Sequence, residues 1–116
     1  MNNQQAFTIV ARHLLTQNSA SVDKGGDNCL YRGTDNKKCA IGCLIPDELY
    51  TADMEGIAVT SLLTKFSSLG QLFKDLYPSM LDDLQDIHDY RQVESWKTEL
   101  QKLAATLNLQ WELPND

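Results

Sequence analysis

The sequence predicts an α+β fold: a mostly helical single domain of four to five helices that carries one small antiparallel β-hairpin. Three observations predict it. Apolar residues recur at helical spacing in three long segments, about 4–17, 79–90 and 93–107. The turn formers Gly33-Thr34-Asp35-Asn36 separate two short runs, Cys29 to Arg32 and Lys37 to Cys39. With 116 residues and 42% apolar content the chain fits one domain, 1–116, with a core that needs neither metal nor disulfide.

The first helix is expected over about Gln4 to Gln17, where Ala6, Ile9, Val10, His13 and Leu14 form an apolar stripe. Asn18 to Asn28 loses the period and holds Gly25-Gly26, so it reads as a loop. The hairpin follows over about 29–39. Pairing Arg32 with Asn36 sets Tyr31 against Lys37 and Cys29 against Cys39, near enough for two thiols to meet. Ala40 to Ile45 is small and apolar and reads as a buried helical turn; Pro46 ends it or opens the next one, with Asp47 and Glu48 placed for a first turn.

Asp53-Met54-Glu55-Gly56 reads as a turn and Ile57 to Phe66 as a short helix closed by Ser67-Ser68 and Gly70. Gln71 to Tyr77 adds a helical turn that Pro78 stops. Ser79 is expected to cap the next helix, with Met80, Leu81, Leu84, Ile87 and His88 inward. The last helix spans about Val93 to Leu107, burying Trp96, Leu100, Leu103, Ala104 and Leu107. Leu109, Trp111 and Leu113 then alternate with polar residues, as in a short strand or a packed coil.

Charge narrows the function classes. A net charge of −6 and a pI near 4.7 count against direct nucleic-acid binding, which draws most of its affinity from a basic footprint, and against anionic membranes. Met1 to Gln5 lacks the basic start of a secretory signal, no apolar run approaches a membrane span, and three cysteines suit a reducing compartment. The expected address is the cytoplasm.

Several constellations can carry chemistry. Cys39, at a strand-to-helix junction, is a candidate nucleophile with His88 as base and Asp89 behind it; His13 is a second candidate base. Cys39-Ala40-Ile41-Gly42-Cys43 equally reads as core. Cys29, Cys39 and Cys43 with one histidine would complete a tetrahedral zinc site, although their spacing lacks two paired C-x2–4-C arms. A reversible Cys29–Cys39 disulfide is a third reading, and both histidines also read as hydrogen-bonded core residues.

The acidic row Asp82, Asp83, Asp86 and Asp89 is the main surface feature. It can imitate nucleic-acid phosphates in a basic groove of another protein, or serve as a solvated helix face. No EF-hand, P-loop, dinucleotide fingerprint or metalloprotease motif is present, so no cofactor is expected. Arg32, Lys37 and Lys38 form a local basic cluster suited to an anion or to edge-strand protection.

The pattern C-x-Y-R … C-A-I-G-C-L-I-P-D-E-x-Y … E-G runs from Cys29 through Tyr50 to Gly56, followed by His88-Asp89 and Trp96. It resembles small uncharacterised proteins of bacteria, phages and prophages, and the resemblance spans roughly Cys29 to Leu107. It implies a phage-associated origin and transfers no activity or site residue. The leading expectation is a non-enzymatic macromolecule-binding protein, an acidic inhibitor of a host nucleic-acid-handling system. Its partner would be a host or phage protein with a basic surface, met by Asp82, Asp83, Asp86 and Asp89. The alternatives are a small cysteine-dependent enzyme and a zinc-stabilised module.

Overall fold

A computed structural model describes residues 1–114. Five α-helices form the frame: α1 Asn3–Gln17, α2 Val59–Lys65, α3 Ser67–Leu72, α4 Pro78–Tyr90 and α5 Trp96–Thr106. No helix among the described residues is long and apolar enough to cross a membrane.

The helices start and stop for local reasons. The Asn2 side chain accepts from Gln5 N while the Gln5 side chain accepts from Asn2 N, both at 2.8 Å, a reciprocal cap for α1. Asn18, at φ 52°, ends the helix in the left-handed conformation that asparagine tolerates. The buried stripe of α1 is Ala6, Phe7, Val10, Ala11 and Leu14, while Ile9 stays 44% exposed. Ile9 is therefore off the stripe expected for it: the 7, 10, 11, 14 spacing puts it on the flank.

α4 begins at Pro78, whose missing N–H is harmless in a first turn, so Ser79 lies inside the helix and is not its cap. Met80, Leu81, Leu84, Ile87 and His88 face inward as expected, joined by Gln85. α5 buries Trp96, Leu100, Leu103 and Ala104 against α1 and α4, with Leu107 half-buried. Ser67, Ser68 and Gly70 do not close a helix; they belong to α3. After α5 the chain lies on α1 as packed coil. Gln4 holds both the N–H and the carbonyl of Gln110, and Trp111 meets Phe7 edge-on at 6.2 Å.

The α+β expectation is overturned: no β-strand forms among the described residues, and the segment read as a hairpin contains only isolated bridges. Arg32 pairs with Lys38, not Asn36, across a turn with Asp35 at φ 57° and Asn36 at φ 63°. Cys29 lies opposite Val22, not Cys39, and all three cysteines are free. The physical reason is that the would-be ladder groups bond elsewhere. Tyr31 N and Arg32 N both donate to the Glu55 carboxylate, at 2.8 and 3.0 Å. Leu30 N donates to Ser21 O, and Lys38 N to the Gln17 side chain. The Lys38 carbonyl accepts from His13 and Gln17. Every buried peptide group needs one partner, and these partners leave no ladder to extend.

The long irregular stretch between α1 and α2 is thus held by side chains. Glu55 also accepts from Tyr50 Oη at 2.7 Å, and the Tyr31 hydroxyl donates to Ile57 O. Arg32 lies 4.9 Å from the Tyr50 ring centre while donating to Asp47 and to Ile45 O. Gly42 has a specific duty: a Cβ there would collide with the Tyr31 carbonyl oxygen. Replacing Glu55 with Ala orphans three donors at once and is expected to cost about 3 kcal/mol. Urea denaturation measures it; a loss below about 0.5 kcal/mol would show that the clamp is dispensable.

Candidate functional site

The second half of α4 carries the polar centre of the molecule. Gln85, His88 and Asp89 stand at i, i+3 and i+4, one turn of one face. Gln85 is buried, accepts from Ile41 N at 3.0 Å and donates to Asp89 Oδ1 at 2.8 Å. His88 is 2% exposed and lies between two partners. Its Nε2 accepts the N–H of Ser21 at 2.9 Å, and its Nδ1 is 2.7 Å from Asp89 Oδ1. The ring stacks on Trp96 at 5.6 Å between centres and 29° between planes.

These partners decide the tautomer. A backbone N–H can only donate, so Nε2 must hold a lone pair and the single ring proton sits on Nδ1, donated to Asp89. Both ring nitrogens are then committed. His88 has no free lone pair with which to take a proton from a thiol.

Cys29, on the loop before the Arg32 bridge, brings its exposed thiol beside this pair. The reactive atoms of Cys29, His88 and Asp89 lie within 4.8 Å of one another. Burial, and then the charge and hydrogen bonding of Asp89, push the Cys29 thiol up to about 11, so it stays protonated at neutral pH. A metal on Nδ1 would require the ring proton to move to Nε2, where it would face the Ser21 N–H; ligating histidines instead need an acceptor on that side. The donor set is therefore unsuited to a metal while the Ser21 hydrogen bond stands.

The other cysteines lie elsewhere. Cys39 is 1% exposed, receives a hydrogen bond from Gly42 N at 3.3 Å, and is pushed up to about 12 by burial. No hydrogen bond joins it to His88. Cys43 donates to Ala40 O at 3.0 Å and is likewise pushed up to about 12 by burial. Of Cys29, Cys39 and Cys43, only Cys29 belongs to the converging group. His13 is occupied with the Lys38 carbonyl.

Beside the hub runs a cleft of about 310 Å³. Asp82, Asp86, Asp89 and Gln85 of α4 line one wall, Cys29 to Tyr31 and Gly56 to Val59 the rest, with Tyr90 at its edge. Asp83 lies outside it, exposed on α4. Burial, then the charges of Asp86 and Asp83, hold the Asp82 carboxyl above the usual carboxylate range. Sequence reasoning missed Ser21, Gln85 and Glu55 as organising residues. Gln85 had a signal, being polar on the apolar face of α4; Ser21 had none.

No family model, curated protein or solved structure matches the chain.

The cysteines differ in a way that thiol titration reads directly. A disulfide reagent is expected to modify Cys29 alone in the folded protein, more slowly than a free thiol at the same pH. Cys39 and Cys43 should react only after unfolding; native reactivity of Cys39 equal to Cys29 would contradict its burial. The buried Cys39 thiol and the half-buried Cys43 thiol both ionise more easily unfolded than folded. Their contribution to stability is therefore complete below the ordinary thiol value of 9.0 and is lost as pH rises towards about 12. Equilibrium unfolding across that window measures the decline.

Proposed function

We propose that the chain is a non-enzymatic binding protein that receives a basic partner protein against α4. The observation that supports this reading is the cleft wall: Asp82 and Asp86 stand there with Asp89, and no lysine or arginine is among the cleft-lining residues. Asp89 Oδ1 is engaged by the neutral His88 and Gln85 side chains, so Asp82, Asp86 and Asp89 all keep their charge at this wall, with Asp83 extending it outside. Burial raises Asp82 most, and a lysine or arginine side chain of a partner would relieve the repulsion from Asp86 and Asp83 that adds to it. The apolar residues Ile57 and Val59 suit its aliphatic stem.

The overall charge of −6 adds long-range steering towards a basic surface and repels nucleic acid itself. The motif resemblance to phage and prophage proteins supports a host nucleic-acid-handling protein as target, blocked where it would otherwise meet phosphates. Such a partner works in the cytoplasm, a compartment in which three free cysteines stay reduced.

A short arginine- and lysine-rich peptide titrated into isotopically labelled protein at low salt tests this. Shifts are expected at Leu30, Tyr31, Asp82, Asp86 and Tyr90, with binding weakened by about tenfold in a Asp82→Asn/Asp86→Asn double variant. Unchanged affinity in that variant, or shifts scattered over the far helices, would overturn the proposal.

A further inference from the structure

We propose that His88 is a proton-operated latch that holds the Ser21–Leu30 loop closed against α4 and releases it when the ring is protonated. The two sides of the ring favour opposite states. Ser21 N–H, 2.9 Å from Nε2, requires a lone pair there and so requires neutral imidazole. Asp89, 2.7 Å from Nδ1, is a carboxylate that gains from imidazolium. Protonation places a second N–H on Nε2, facing the Ser21 N–H donor to donor. The hydrogen bond and the protonated ring exclude each other, while the Asp89 contact survives in both states.

The titratable groups facing the ring are Asp89 on its own helix and Cys29 on the loop; α5 presents the uncharged Trp96 indole. Cys29 stays neutral through this range because its thiol is raised to about 11, so Asp89 supplies the anion that accepts the charged ring.

Ser21 can transmit the release because it is the loop's internal anchor. It is fully buried, its carbonyl accepts from Leu30 N at 3.0 Å and its hydroxyl donates to Leu30 O at 2.8 Å. Leu30 and its neighbours Cys29 and Tyr31 form a wall of the cleft. Losing the His88 bond therefore loosens the Ser21–Leu30 part of that wall, while Tyr31 keeps its bonds to Glu55 and Ile57, whatever occupies the cleft. The latch needs no partner and stands or falls separately from the binding proposal.

Amide hydrogen exchange on the whole protein tests it, read from about pH 7.5 to about pH 5, where histidines titrate, and corrected for intrinsic rates. Protection at Ser21 and Leu30 is expected to fall by about tenfold, the loss of one hydrogen bond, in step with the His88 ring proton shifts. Val10 and Leu14 in α1 should keep their protection. In His88→Gln, which keeps an acceptor and cannot titrate, Ser21 protection should be flat with pH.

Three results would overturn the latch: a ring that titrates without change at Ser21, a ring that stays neutral to about pH 5 in folded protein, or loss of protection equally in α1. The wild-type measurements decide the matter even where the variant fails to fold.

Discussion

The hydrogen bond from Ser21 N–H to His88 Nε2 joins the two halves of this molecule. On one side is a helical frame whose apolar faces pack in the ordinary way. On the other is a segment of about forty residues without a strand, from Asn18 to Ala58. A stretch of that length carries many peptide groups that need partners, and irregular loops of this size are uncommon in compact domains. Some partners here are backbone groups of local turns, among them the 3-10 turns Thr34–Asn36, Gly42–Leu44 and Ala52–Met54; the rest are polar side chains presented at fixed heights: His13 and Gln17 from α1, Gln85 and His88 from α4, and Glu55 from within the segment itself. His88 is the most constrained of these, since Trp96 fixes its plane and Asp89 its proton.

That arrangement also sets what the polar centre can do. A cysteine, a histidine and an aspartate within 4.8 Å resemble the makings of a nucleophile or a metal site. The hydrogen-bond directions decide otherwise, because a lone pair spent on a backbone N–H is available neither to a thiol proton nor to a metal. Burial raises the thiol beside the ring, and the same carboxylate that steadies the ring adds to that rise. The cleft beside this centre has carboxylates on one wall and apolar residues nearby.

The helical part of the fold was legible because it repeats. The inner faces of α4 and α5 follow from Leu81, Leu84, His88 and from Trp96, Leu100, Leu103 at helical spacing, and the structure buries them. Ile9 was misjudged because neighbouring positions on a helix lie 100° apart and Phe7 and Ala11 define the stripe better. The turn at Asp35-Asn36 was visible in its residues, yet the strands beside it were not real. Propensity speaks for a turn, but a ladder depends on which distant groups claim the flanking amides. Glu55 and Gln17, far along the chain or on another element, claim them here. Such contacts have no period and no local signature. Likewise the acidic row of α4 was legible, while the commitment of Asp89 Oδ1 to His88 and Gln85 needed the geometry.

The most direct measurement of the central claim is the scalar coupling across the hydrogen bond between the Ser21 amide and the His88 ring, recorded on nitrogen-labelled protein at neutral pH. The account predicts a coupling to a non-protonated Nε2, with the ring proton on Nδ1. A ring proton found on Nε2, with no coupling to Ser21, would contradict it.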